Sequence, residues 1–537
     1  MQAMAIKRWN AVVMLALLAA PGSAQQPVPV DTAAIDAHLR FLASDLLEGR
    51  APATRGGQLA TAYIAAWFQA LGLEPAGANG SYFQPVALVG MTPQPTLGWG
   101  KPGTPTDTLA YRDQFVAWAE RPEADIAADG EVVFVGYGIR APEWQWDDYK
   151  GTDLHGKVLL MLVNDPGLVD STVFLGKILT YYGRWTYKLE EAARQGAAGA
   201  ILVHTTESAT YPWEVVRGSW SVEQFKLDQP RSPSIAFAGW VTEGSARDAL
   251  ARAGLNLDSL TRVAARRDFR PVPTGIQAAV RVHSALRHVQ SENVAARLPG
   301  RDKQLAAEAV LITAHWDHKG IGPVVKGDSI YNGAEDNASG IAAMLGVAEA
   351  LTHLPRTARS IMLVATTAEE SGLLGSEAYV QRPLLPLART AAVLNLDVTN
   401  VRGATRDIGG RGGDRSTLGP VFAAAARAES LTVDSEPDLR GAFFRSDHFP
   451  FARAGVPALS IFAGDNFVGR PKGWGTEQEN IYNAQRYHQP SDEYQASFRY
   501  DGMAQEVRVT VRTAQAVANN RTLPTWLPSS EFQRPQP

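Results

Sequence analysis

The chain has 537 residues, 45% of them hydrophobic, a formal net charge of −4 and no cysteine. Such a length exceeds what one core usually organises, so two or three domains are expected. Lys and Arg are spread along the chain, which excludes the electrostatic footprint of a nucleic-acid binder. The missing cysteines exclude disulfides, thiolate nucleophiles, a lipoprotein anchor and zinc-finger sites, so any metal must be held by His, Asp and Glu.

Lys7 and Arg8, the apolar run Ala11 to Ala20 and then Pro21, Gly22, Ser23 and Ala24 read as the charged region, apolar region and cleavage site of a signal peptide over residues 1–24. The run is too short to span a bilayer comfortably. The expectation is a periplasmic or secreted protein with no membrane anchor after cleavage.

Apolar residues then recur at helix spacing, first Ile35, Leu39 and Leu42, later Ala60, Tyr63, Ile64, Trp67 and Phe68. This pattern predicts two amphipathic helices separated by the Gly49-to-Gly57 loop. Beyond a Gly/Pro/Thr-rich stretch around Pro93 to Thr106 come short strand-like runs, Glu131 to Val135 and Lys157 to Val163. They predict an inserted β-rich domain. A helix from Leu189 to Gln195 leads through Gly196 to Gly199 into a strand at Ala200 to Val203. From about Gln290 the pattern is apolar strand, Gly- or acid-bearing loop, then helix, repeated, which predicts a mostly parallel α/β sheet flanked by helices. The last fifteen or so residues, rich in Pro and Ser, read as a surface tail.

Three apolar runs in this half lead into metal-ligand residue types: Val310 to Ala314 before His315, Ile361 to Ala365 before Glu369 and Glu370, and Ala392 to Leu396 before Asp397. A fourth, Ala458 to Phe462, precedes the segment bearing His488. In open parallel sheets the ligand crevice lies beyond the carboxyl ends of the strands, so these side chains should converge. Asp317, two residues after His315 on an extended chain, faces the same side and can accept the second imidazole N–H. Asp336 lies in the turn-rich segment Gly333 to Gly340 and can offer one oxygen to each of two metals. Glu369 and Glu370 point in divergent directions, so one can bind metal while the other faces an attacked carbonyl. His318 and His448 stay unassigned, and the remaining histidines read as surface or packing residues.

These segments resemble the family of dizinc exopeptidases that includes bacterial leucyl aminopeptidases and glutamate carboxypeptidase II, peptidase family M28. The resemblance implies two Zn²⁺ ions, one held by His315, Asp336 and Asp397, the other by Asp336, Glu370 and His488, with Asp336 as bridge. It implies Glu369 as general base, Tyr487 as an oxyanion donor in the segment Tyr487 to Tyr494, and a cis peptide between Asp336 and Asn337. Glu131 to Ala238 resembles a protease-associated domain. The implied order is signal peptide 1–24, peptidase domain 25–115, protease-associated insertion 116–275, catalytic peptidase domain 276–520 and tail 521–537.

The function expected from the resemblance is an aminopeptidase that releases N-terminal residues from peptide substrates. Carboxypeptidase action, a one-zinc glutaminyl cyclase-like transferase and a non-catalytic binding protein like the transferrin receptors are the alternatives. Arg445 either meets a substrate carboxylate, which would favour carboxypeptidase action, or pairs with a structural acid.

Overall fold

The computed structural model describes residues 27–101, 107–229, 234–434, 436–528 and 530–534. The expected signal peptide lies outside them. The chain opens with helices α1 (Thr32–Leu42) and α2 (Arg55–Ala70). Asp31 caps α1 by accepting the N–H groups of Ala33 and Ala34, and Thr54 caps α2 through the N–H of Gly57, as short oxygen-bearing side chains do at helix starts.

The main sheet uses β1 (Phe83–Gly100), β2 (Phe115–Ala119), β3 (Asp125–Phe134), β4 (Val158–Leu162), β5 (Gly199–His204), β6 (Phe237–Thr242), β7 (Val272–Leu298), β8 (Ala309–His315), β9 (Ser360–Thr366), β10 (Thr390–Leu396), β11 (Asp407–Arg411) and β12 (Ala458–Ala463). Along the sheet they run β11, β12, β10, β8, β9, β7, β3, β4, β5, β6, β2. Two parallel blocks result, β12-β10-β8-β9 and β3-β4-β5-β6, with β7 antiparallel to both of its neighbours between them. Strands β8, β9 and β10 are buried at every position, which is why they read as unbroken apolar runs rather than as alternation.

Three further helices matter below: α3 (Trp185–Arg194), α4 (Ser339–Thr352) and α5 (Asp501–Asn519). On one face of the catalytic block, Val310, Ile312, Leu363 and Leu394 pack against Ile35, Leu39, Ile64, Phe68, Met344 and Val507 from α1, α2, α4 and α5. The residues between them, Leu311, Met362, Val364 and Val393, face the opposite side and meet Phe443, Phe451 and Trp526. No helix among the described residues is long and apolar enough to cross a membrane.

Three expectations change here. The stretch from Pro93 to Gly100 is strand, paired residue by residue with β7. Among the described residues its other edge is bonded at Ala87 to Met91 and at Leu97 to Trp99, so Pro93 and Pro95, two apart, leave their missing donors on an open stretch of edge where proline is tolerated. The packing also does not switch at 115 or 275. Val89, Met91, Leu97, Trp99 and Leu109 already belong to the core of the inserted unit, and so do Ile276 to Val282 at the far end.

The third change is the tail. Trp526 and Phe532 are buried, their rings 4.9 Å apart, and the Trp526 indole donates to the carbonyl of Gly455 at 2.8 Å. Two aromatics among prolines and serines carry no periodicity, so composition alone hid a docked segment. Trp526→Ala should cost about 3–5 kcal/mol, the range for emptying a buried aromatic site. Urea unfolding would measure it, and an unchanged midpoint would show the tail to be dispensable.

Candidate metal centre

His315 ends β8, Glu369 and Glu370 follow β9 in a short turn (Glu369–Ser371), and Asp397 follows β10. Asp336 lies in the turn Ala334–Ala338 that leads into α4, and His488 just beyond the helix Trp474–Gln485. The structure brings these six side chains together. His315 Nε2 is 3.2 Å from Asp336 Oδ1 and 3.3 Å from Asp397 Oδ1. His488 Nε2 is 3.4 Å from Asp336 Oδ2 and 3.0 Å from Glu370 Oε2. Asp336 thus directs one oxygen to each half, and its peptide with Asn337 is cis.

The donor set fits zinc. With Zn–N and Zn–O bonds of about 2.0–2.2 Å, the edge of a tetrahedron around the ion is roughly 3.3–3.6 Å, and three of the four separations lie within 0.1 Å of that range or inside it. The carboxylates of Asp336, Glu369, Glu370 and Asp397 gather around His315 and His488. Glu370 Oε1 and Asp317 Oδ2 are buried without a hydrogen-bond partner, and buried polar atoms ordinarily have one. Two overlapping donor groups have their ligand atoms within 4.8 Å of one another, His315-Asp336-Asp397 and His318-Asp336-Glu370.

The electrostatics separate the two adjacent glutamates. Burial, then the charges of Asp397 and Glu370, push the Glu369 carboxyl well above its ordinary range despite His315 nearby. Burial works against ionisation of Glu370 too, but His488, Lys319 and His318 hold it well below the usual range. Burial would lower His315, yet Glu369, Asp397 and Asp336 hold it well above the usual imidazole range. Two adjacent carboxyls pushed in opposite directions by their surroundings are what a division between acid–base work and metal binding calls for.

Asp317 is placed differently from the sequence expectation. His315 Nδ1 lies 3.1 Å from the backbone carbonyl of Asp317, with the carboxylate at 3.8 Å. The carboxylate instead accepts the backbone N–H of Glu369 at 3.1 Å. The chain turns after β8 so that the carbonyl, not the side chain, meets the imidazole. Asp317 therefore positions the glutamate turn. Tyr487 is 39% exposed, its ring stacked on His488 at 3.8 Å between centroids. Desolvation, then Asp336, Glu370 and Glu369, push its phenol upward, so it stays protonated and able to donate.

Several positioning residues were not read from the sequence. Asp492 accepts the N–H groups of Glu335 and Asp336, both at 3.1 Å, and Glu335 is ion-paired to Arg402 and Arg486. Ser446 donates to Asp397 Oδ2 at 2.6 Å. Arg50, 1% exposed, donates to the carbonyls of Leu42, Trp316, Asn332 and Gly333. Asp492 and Ser446 lie inside motifs that the sequence singled out. Arg50 lies in a loop that offered no signal. Among the described residues Arg445 pairs with no acid: it donates to Thr210 Oγ1 at 2.9 Å and the Arg440 carbonyl at 2.8 Å.

An α/β sheet with histidines and carboxylates gathered beyond its parallel strands defines a candidate metal centre of the crevice type. Residues 293–512, which contain every donor side chain of this centre, match the model of peptidase family M28. It is 29% identical over 189 residues to Aminopeptidase YwaD of Bacillus subtilis, covering 34% of this chain and 36% of that one. It is 30% identical over 228 residues to Leucine aminopeptidase 2 of Trichophyton rubrum, covering 40% and 43%. The chain thus spans less than half the length of these curated relatives. Among solved structures, an aminopeptidase from Aneurinibacillus sp. strain AM-1 aligns over 94% of this chain and 98% of its own at 20% identity and TM-score 0.48. The zinc aminopeptidase BSAP from Bacillus subtilis aligns over 92% and 97% at 18% identity and TM-score 0.47.

Proposed function

We propose that the protein is an aminopeptidase using two zinc ions. The observation that carries this reading is the pair of donor groups sharing Asp336, with a further acid, Glu369, outside both. His315, Asp336 and Asp397 would hold one ion, and Asp336, Glu370 and His488 the other. When bound, the ions lower the pKa of water toward about 7 and polarise the scissile carbonyl. Glu369, with Oε2 4.0 Å from His315 Nε2, takes the proton of the attacking water and returns it to the leaving amine, as one acid–base group does in both directions. Tyr487 donates to the oxygen that becomes negative. Two groups sharing a carboxylate support this over a one-metal cyclase, and a complete donor set supports it over a non-catalytic receptor.

The inserted unit, proposed as a protease-associated domain, borders the centre. Tyr181 packs on Phe444 and Phe449 at 5.8 and 5.3 Å, Arg453 pairs with Glu190 of α3 at 2.8 Å, and Arg445 bonds Thr210. In this reading the unit restricts access to short peptides.

The test compares peptides with free and acetylated N-termini, and with free and amidated C-termini, before and after chelation and zinc restoration. Cleavage should require a free N-terminus, vanish on chelation and return with zinc. Release of C-terminal residues from N-acetylated peptides, or activity indifferent to chelation, would overturn the proposal.

A further inference from the structure

The second donor group contains a histidine outside the ligand set implied by the resemblance. His318, 1% exposed, follows β8 by three residues and sits beside the half of the centre formed by Glu370. Its Nδ1 is 2.6 Å from Glu370 Oε1, its ring centroid 5.7 Å from that of His488. Glu370 is therefore flanked, with Oε1 towards His318 and Oε2 towards His488.

His318 Nδ1, His318 Nε2 and Glu370 Oε1 are all buried atoms without a geometrically aligned hydrogen-bond partner, and His318, Asp336 and Glu370 have ligand atoms within 4.8 Å of one another. A cation placed among these three side chains would serve the imidazole and both carboxylates. Opening the pair by roughly 0.7 Å would give an edge of a zinc tetrahedron. The backbone fixes the imidazole there. Gly333 has φ +57°, and a Cβ on it would lie 2.5 Å from His318 Cγ and 2.1 Å from the Asp336 carbonyl oxygen. The loop that carries Asp336 thus packs directly on this ring.

We propose that His318 is a ligand of the second metal ion, which is then held by two histidines, His318 and His488, and two carboxylates, Asp336 and Glu370. The inference rests on the centre binding metal and goes beyond that reading in the ligand it adds. It gives the two ions unequal surroundings, one imidazole at the first and two at the second. The second ion gains a further soft, neutral donor, which favours zinc there over a hard cation such as Mg²⁺ or Mn²⁺.

The metal-free wild-type protein, titrated with Zn²⁺ against a chromophoric chelator, should bind two equivalents. His318→Ala should keep the first equivalent at unchanged affinity and weaken the second by more than about 100-fold, beyond the 10–100-fold effect of a residue that only orients a ligand. His318→Gln, which keeps the size and a hydrogen-bonding end, should not restore it. X-ray absorption of the wild-type two-zinc protein supplies a measurement independent of how the variants fold. It should show on average one and a half imidazoles per ion, against one if His318 stands off. Unchanged second-site affinity in His318→Ala, recovery in His318→Gln, or one imidazole per ion would overturn the assignment while leaving the two-metal reading intact. A wild-type protein that binds no zinc would overturn both.

Discussion

Glu369→Gln should leave zinc content and thermal unfolding unchanged while turnover falls by about 10²–10⁴-fold, the usual contribution of a positioned acid–base group. The substitution keeps the shape of the side chain and removes its capacity to take a proton. Glu369 belongs to neither donor group, and its main-chain N–H is already anchored on Asp317, so the turn should hold. Glu370→Gln makes the contrast, because the neutral side chain abandons His488, Lys319 and one ion. It should lower occupancy of one site and recover in part with excess zinc. Metal analysis alongside steady-state kinetics reads both. Loss of metal in Glu369→Gln with full occupancy in Glu370→Gln would mean the two roles are exchanged. Unaltered hydrolysis in both would place the active site elsewhere.

Arg50→Met should be the most destabilising single change in the catalytic half. The guanidinium, 1% exposed, feeds four carbonyls from three separate segments. Burial lowers its pKa to about 10, so it remains charged at neutral pH and offsets Asp317, Asp492, Asp336 and Glu370. Removing one partner from a buried charged network costs about 3–5 kcal/mol, and we expect a loss at least that large in urea unfolding, with weaker zinc binding because Asn332 and Gly333 lead into the Asp336 loop. Arg50→Lys should not rescue it, since one ammonium cannot reproduce a planar fork. An unfolding midpoint equal to wild type would dismiss the structural role of Arg50.

The strands and the ligand order were legible for a physical reason. Buried parallel strands must be apolar throughout, so β8, β9 and β10 announce themselves, and the first polar residues after them fall at the crevice. His315, Asp397 and the two glutamates could therefore be placed from local pattern alone. Arg50 could not, because its partners lie up to 283 residues away. The role of His318 is set by the packing of Gly333, and that of Asp317 by how sharply the chain turns after β8. Pro93 and Pro95 looked like breakers because openness of an edge is a property of the assembled sheet. Trp526 and Phe532 looked like tail because the pocket receiving them is built from Phe443 and Phe449.

The antiparallel ribbon of β1 and β7 pairs Phe83 with Val294 and continues to Gly100 with Gln277 without slipping register, about 60 Å of unbroken ladder at strand pitch. It crosses from the half that holds the metal donors into the half that borders them. A bridge of that kind does not swing like a linker. On the proposed peptidase reading, selection at the border is written in the side chains it presents, so changing the accepted peptide length is a matter of substitution at the rim. Grafting a different insertion would have to preserve the phase of the ribbon, since a one-residue shift turns every rim side chain to the opposite face.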